Sequence, residues 1–278
     1  MVTFPPCKVN LGLYVTAKRS DGMHDLSTVF LPVNLCDTLE IVPLDGTYTA
    51  DRFHLTGIKL PEGGEGTDNL VVRTLISLRN DYPQIPFCEI WLHKRIPAGA
   101  GLGGGSSDAA YTMRMVNEMF DLRISDEEAN SRLAKLGADC AFFWKNTPAY
   151  AEGIGEELTP IDMPRLKGLH IVLVKPPFGV STREAFSGIL PKAPSVPLKS
   201  ALLHSVEEWP QMVGNDFERT VFPLYPELAA IKQTLYDAGA LYAQMSGSGS
   251  TMLAFFRRPV EEEMKRLFPN YFIHSSQL

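Results

Sequence analysis

Five glycines fall within seven positions in the run Pro97-Ala98-Gly99-Ala100-Gly101-Leu102-Gly103-Gly104-Gly105-Ser106-Ser107-Asp108, which leads straight into a segment of helical periodicity. Glycine lets the backbone turn through positive φ and brings N–H groups close to a ligand. The first N–H groups of a helix have no intrahelical partner and carry partial positive charge. Together these make an anion cradle, and phosphate is its natural guest. Ser106 or Ser107 is placed to cap the helix, with Asp108 in its first turn.

The elements that must hold such a loop are legible on either side of it. Residues 88–96 read as a strand, and Ala109, Met113, Val116 and Phe120 recur at helical spacing, so the run is an organised strand–loop–helix unit rather than a linker. The nucleotide loop of the form Gly-x-x-x-x-Gly-Lys-Ser/Thr needs a lysine after its glycines, and none stands here. Gly99-x-Gly101-x-x-Gly104 fits the short dinucleotide fingerprint formally. The next element, however, reads as a second helix over 125–136, capped by Ser125 and closed by Gly137, where a βαβ unit requires a parallel strand.

Strands are expected at 9–16, 26–33 and 38–43, with a turn at Ser20-Asp21-Gly22, and a helix at 69–80. The composition loosens past Tyr150, where two glycines and the prolines Pro160 and Pro164 suggest a domain boundary. The second half reads as a strand at 169–174, a helix from Thr182, a helix at 226–237, strands at 240–244 and 251–256, a helix from Val260 and a last short strand. Helices and strands mix without strict alternation, which predicts an α+β protein whose second half is an antiparallel sheet covered by helices.

Composition bounds the function. Twenty-six basic against 32 acidic residues give a net charge of −6, which argues against a surface for nonspecific nucleic-acid binding. Cys7, Cys36, Cys88 and Cys140 are too dispersed for a zinc knuckle or a small disulfide framework. No segment approaches membrane-spanning length, and the first residues lack a basic stretch followed by an apolar run, so the expectation is a cytoplasmic protein without a membrane role.

Three segments in order carry a family resemblance: Lys8-Val9-Asn10-Leu11, the run from Pro97 to Ala110, and Met245-Ser246-Gly247-Ser248-Gly249-Ser250-Thr251. They resemble the first, second and third motifs of the GHMP kinase superfamily. The resemblance implies the two-domain GHMP kinase fold, with a β-rich ATP-binding domain over 1–155 and a C-terminal domain over 156–278. Within the superfamily it narrows to a branch marked here by residues 8–15, 19–26, 136–143 and 215–218. That branch moves the γ-phosphate of ATP onto the 2-hydroxyl of a cytidine-diphosphate-linked methylerythritol in the non-mevalonate isoprenoid route.

The roles that follow are those the resemblance implies. Asp139 orients the acceptor hydroxyl and receives its proton, and Lys8 is the partner cation that stabilises charge on the acceptor oxygen. Pro97, Ala98, Gly99, Ala100, Gly101, Leu102, Gly103, Gly104, Gly105, Ser106 and Ser107 hold the ATP phosphates, with Asn10 and Lys94 as further nucleotide contacts. Magnesium arrives with ATP, keeping most of its waters, since no His/Cys/Asp/Glu cluster suggests a protein-built cage. His24 and Phe186 flank the cytosine ring, with Thr182 beside them. Met23 stands where this branch usually has tyrosine; methionine packs on a ring but cannot donate the tyrosine hydroxyl bond. Cys140-Ala141 replaces the commoner Val-Pro after the aspartate. Two other readings stay open: a mevalonate- or homoserine-type kinase, which has no reason to keep His24 with Phe186, and a non-catalytic nucleotide sensor, which needs neither Lys8 nor Asp139.

Overall fold

The computed structural model describes residues 1–60 and 66–278. These form two compact units interleaved along the chain. One comprises Met1–Cys7, Asn34–Ala98 and Gly103–Thr147, the other Lys8–Val33, Gly99–Leu102 and Pro148–Leu278.

The first unit holds a sheet with strand order Val2–Thr3, Thr38–Pro43, Cys88–Lys94, Arg52–Gly57. The first three strands run antiparallel, while Arg52–Gly57 lies parallel to Cys88–Lys94. A parallel neighbour needs a crossover, and the helix Leu70–Asp81 lies within that connection. Asn69 caps this helix by accepting from Val71 N at 3.0 Å. Its apolar face, with Val71, Leu75 and Leu78 buried, packs against the Gly104–Met119 helix. In Cys88–Lys94 the alternation is regular, with Cys88, Ile90, Leu92 and Lys94 buried and Trp91 and His93 exposed. The period of two that directs three apolar side chains inward therefore directs a lysine inward as well.

The second unit contains a sheet ordered Tyr242–Met245, Met252–Phe256, His170–Lys175, Phe272–Gln277, antiparallel throughout. The helices Thr182–Ser187, Phe217–Leu224, Pro226–Asp237 and Glu261–Leu267 contribute Ala185, Val221, Leu228, Ile231, Leu235 and Met264 to one apolar cluster with Val172, Val174, Ala254 and Phe256. The expected helix-covered antiparallel sheet is there. A further sheet runs Pro6–Lys18, His24–Cys36, Ala149–Glu152, Glu157–Pro160. Its last two strands, and Arg52–Gly57 in the first unit, lie where the sequence pattern gave no strand. Ala149–Glu152 and Glu157–Pro160 are only four residues each, too short for periodicity to register.

Candidate active site

The glycine run divides at Gly103. Residue 103 itself is the N-cap, in the left-handed region at φ 68°, ψ 18°, and the helix begins at Gly104 without a side-chain cap. This corrects the expected capping role: Ser106 and Ser107 lie inside the helix. Asp108 is likewise past the first turn, and 2% exposed. The helix starts before the serines because the left-handed turn at Gly103 sets the chain direction, and only glycine reaches that conformation cheaply. Ser107 N is the first amide to bond back, to Gly103 O at 2.9 Å. The amides of Gly104, Gly105 and Ser106 precede that first bond, which leaves them as anion donors. Ser107 is fully buried, and its Oγ has no hydrogen-bond partner. A buried hydroxyl without a protein partner is costly, and it fits a phosphate oxygen or a cation arriving with one.

Around this helix start the first unit gathers two further elements. Burial pushes the Cys140 thiol up to about 11, with the Ser106 side chain opposing and Asp139 reinforcing the shift. Asp139 lies in the half-buried turn directly before Cys140 and the short Phe142–Lys145 helix. On the other side Lys94 is 3% exposed and its ammonium is already engaged. It donates to Asp108 Oδ2 at 2.6 Å and is ion-paired with Asp37. Lys94 was expected to contact nucleotide; instead its ammonium is spent on two buried carboxylates, which makes it part of the loop's support. Asp37, a lone acid between two strands, belongs to no motif of the sequence.

In the second unit Lys8 is 3% exposed on its strand. Its ammonium donates to Asn10 Oδ1 at 2.6 Å and lies 4.7 Å from the centroid of the Phe30 ring. Asn10 in turn donates from Nδ2 to Thr28 Oγ1 at 3.1 Å, so its carboxamide is occupied by protein on both ends. That makes Asn10 a residue that orients Lys8. The segment Gly99–Leu102 is held here: Leu102 O accepts from Lys8 N at 2.9 Å, and Gly101 O accepts from Ser246 Oγ at 2.9 Å. Ser246 Oγ also accepts from Asn10 N at 3.1 Å. Gly101 has φ +74°, and a Cβ on it would lie 2.1 Å from Ser246 O. The third motif thus seats both the strand that carries Lys8 and the glycine segment.

Three further residues brace this arrangement: Gln244, which no sequence motif singles out, and Asn215 and Asp216, which lie in the 215–218 segment of the family resemblance. Gln244 donates to Asn10 O at 2.7 Å and accepts from Gly12 N at 3.1 Å. Asn215 Nδ2 donates to Met245 O and Gly247 O, both at 2.8 Å, and Asp216 Oδ2 accepts from Val15 N at 2.9 Å. The signal for Asn215 and Asp216 is that segment, a polar pair directly before an apolar helix; Gln244 carries none.

His24 and Phe186 are brought together, as the resemblance implies, but against one another. Their rings stack at 4.9 Å between centroids and 27° between planes, and Phe217 meets Phe186 edge-on at 4.7 Å. A separation of 4.9 Å leaves no room for a third ring between them. Thr182, the first residue of its helix, lies with Oγ1 3.3 Å from Ser248 Oγ of the third motif. Met23 is half exposed at the turn before His24.

The first unit thus holds a helix start with open amides and an acid in a turn, and the second holds a glycine segment seated on a Ser-Gly-rich loop and a buried lysine; these are the kinds of parts that phosphoryl transfer uses. The pattern for the GHMP kinases N terminal domain matches residues 69–146, and that for the GHMP kinases C terminal matches residues 198–273. The chain belongs to the GHMP kinase family, a family of ATP-dependent small-molecule kinases. It is 47% identical, over all 278 residues of both chains, to the 4-diphosphocytidyl-2-C-methyl-D-erythritol kinase of Bacteroides fragilis. Among solved structures it is similar to a 4-(cytidine 5'-diphospho)-2C-methyl-D-erythritol kinase, with a TM-score of 0.81 and 30% identity over 100% of each chain. The homoserine kinase of Cytophaga hutchinsonii shares the fold, at a TM-score of 0.69 and 19% identity over 99% of this chain and 95% of its own. No helix among the described residues is long and apolar enough to cross a membrane.

Proposed function

We propose that this chain transfers the γ-phosphate of ATP to the 2-hydroxyl of 4-diphosphocytidyl-2-C-methyl-D-erythritol. The observation that carries this reading is the 47% identity to a kinase of that name along the whole of both chains. The chain's likeness to a homoserine kinase is a likeness of fold alone.

In this reading the amides at the start of the Gly104–Met119 helix and the turn of Gly99–Leu102 receive the ATP phosphates, the helix dipole opposing their charge. Ser107 Oγ, buried and unpartnered, is the side chain that fits the phosphate or its magnesium. Magnesium, when bound with ATP, adds neutralisation of the charge on the transferring group. Asp139 accepts the hydrogen bond of the acceptor hydroxyl. As the oxygen attacks the γ-phosphorus and the bond to the departing ADP breaks, the hydroxyl proton passes to that carboxylate. An alcohol is far less acidic than a carboxylic acid, so the transfer comes late, when the new bond to phosphorus has already acidified the hydroxyl. Lys8, aimed by Asn10, supplies positive charge to the acceptor oxygen. The cytosine meets His24 and Phe186, whose direct stack must part, or offer an outer face, to admit it.

The test is a panel of alcohols assayed for ADP release. Turnover of the cytidine-diphosphate-linked polyol and not of mevalonate or homoserine is expected; the opposite pattern refutes the assignment. Asp139→Asn should lower turnover by about a hundredfold or more with ATP affinity nearly kept, as loss of one transition-state contact does. Unchanged turnover would remove Asp139 from the chemistry.

A further inference from the structure

The second unit carries a cleft that the proposed chemistry does not use. Its floor is residues 13–15 of the Pro6–Lys18 strand. Leu13 and Val15 join the apolar cluster that includes Phe217 and against which Phe186 packs, and the period of two turns Tyr14 to the other face. Two stretches of chain are clipped to the backbone of this floor. Leu13 N donates to Gly214 O at 2.9 Å, Asp216 N donates to Leu13 O at 2.8 Å, and Asp216 Oδ2 accepts from Val15 N at 2.9 Å. Lys192 N donates to Val15 O at 2.8 Å. The Tyr14 hydroxyl donates to Met212 O at 2.9 Å and accepts from Gly214 N at 3.0 Å, so it is spent on protein and leaves the ring to face the cleft. The space among these groups is about 290 Å³, lined by Tyr14, Lys192, Gln211, Gly214, Asp216 and Arg219 among others.

The charges of the lining call for an anion. Two cations, Lys192 and Arg219, stand against one carboxylate, Asp216, on a chain whose net charge is −6. Lys192 is exposed and has no ion-pair partner among the described residues. Arginine presents a fork that matches phosphate, and lysine a point charge. A phosphomonoester carries about −1.5 to −2 near neutral pH and answers two cations better than a single carboxylate does. Arg219 Nη2 lies 3.6 Å from Asp216 Oδ1, beyond hydrogen-bond length, which leaves that oxygen open to a hydroxyl. The Gln211 carboxamide both donates and accepts. The volume is that of about ten waters, which suits a short polyol phosphate and is too small for a nucleotide.

We propose that this cleft is a second small-molecule site, which holds the phosphomonoester of a short polyol. Lys192 and Arg219 take the phosphate, Asp216 and Gln211 take hydroxyls, and the face of the Tyr14 ring covers the carbon chain. The site goes beyond the kinase reading and does not depend on it. It nevertheless borders the third motif: Asn215, between the lining residues Gly214 and Asp216, donates to Met245 O and Gly247 O. One wall of the cleft is therefore also the seat of that loop.

The probe is racemic glycerol 3-phosphate, titrated by calorimetry into the full chain at about pH 7.5, where the ester is close to dianionic. One saturable site with a Kd at or below about 1 mM is expected. Lys192→Ala and Arg219→Ala should each weaken it about tenfold or more, as loss of a charge-assisted hydrogen bond does. Both side chains are exposed, so neither substitution should disturb the fold. Inorganic phosphate should bind about tenfold less tightly than the ester, since it lacks the hydroxyls that Asp216 and Gln211 receive. Absence of saturable binding, or binding that both variants keep, overturns the site. Inorganic phosphate held as tightly as the ester overturns the assignment to a polyol. No ATP enters the measurement, so each of these outcomes is separate from the success or failure of the kinase reading.

Discussion

The two halves of the glycine run are held in opposite ways. Past Gly103 the helix start is pinned by charge: a buried lysine between two buried carboxyls. Before it, Gly99–Leu102 is held by neutral groups, through Ser246 Oγ on Gly101 O and Lys8 N on Leu102 O, and by a fit so close that Gly101 has no room for a Cβ. A neutral bond between hydroxyl and carbonyl is indifferent to pH over the range in which enzymes work. A buried cluster with an odd charge is not. One stretch of loop therefore combines a fixed segment with a segment whose support can titrate.

Three substitutions separate these modes. Gly101→Ala should cost the most, about 3 kcal/mol, because the new Cβ combines a left-handed φ with a clash on Ser246 O. Urea unfolding would register it, and a loss near zero would mean that the seat of the glycine segment is loose. Ser246→Ala leaves the buried Asn10 N–H and Gly101 O without their shared partner, at about 2 kcal/mol. That loss should be the same at every pH from mildly acid to mildly alkaline. Asp108→Asn should behave otherwise. The folded chain keeps the Asp108 proton up to about 7, whereas the unfolded chain releases it near 4, so the wild-type contribution is whole below about pH 4 and is lost as pH rises through about 7. Asparagine carries no such proton, so the stability difference should move in the variant's favour by up to about 1.4 kcal/mol per pH unit between those limits. A pH-dependent Ser246→Ala, or a pH-independent Asp108→Asn, would collapse the distinction.

Much of this was legible in the chain itself. Helix 69–80 was expected and Leu70–Asp81 is found, with Asn69 as its cap; strand 38–43 and helix 226–237 match residue for residue. Those segments are long or sharply punctuated, so local propensity decides them. Residues 88–96 read as a strand, and in the structure its alternation turns Lys94 inward with Cys88, Ile90 and Leu92, although a lysine at a strand end invites a solvent-exposed reading. The caps failed for a different reason: Ser106 and Ser107 carry the usual signal, but the left-handed turn at Gly103 started the helix earlier. His24 and Phe186 are paired by resemblance, whereas their direct stack and the edge-on contact of Phe217 with Phe186 are set by tertiary packing.

By itself the sequence determined the class of chemistry, because anion-binding glycines, a lysine and an aspartate are legible as residue types in an order, and residue types decide what chemistry is available. It also determined most helices and strands, through periodicities that act within a dozen residues. Only the tertiary structure decided who satisfies whom. Ser246 reaches Asn10 across 236 positions, and Lys94 reaches Asp37 across 57. A buried polar group must find a partner, but nothing local says which one: the choice is made when the strands and helices pack, and the protonation of the Asp108 cluster follows from that choice.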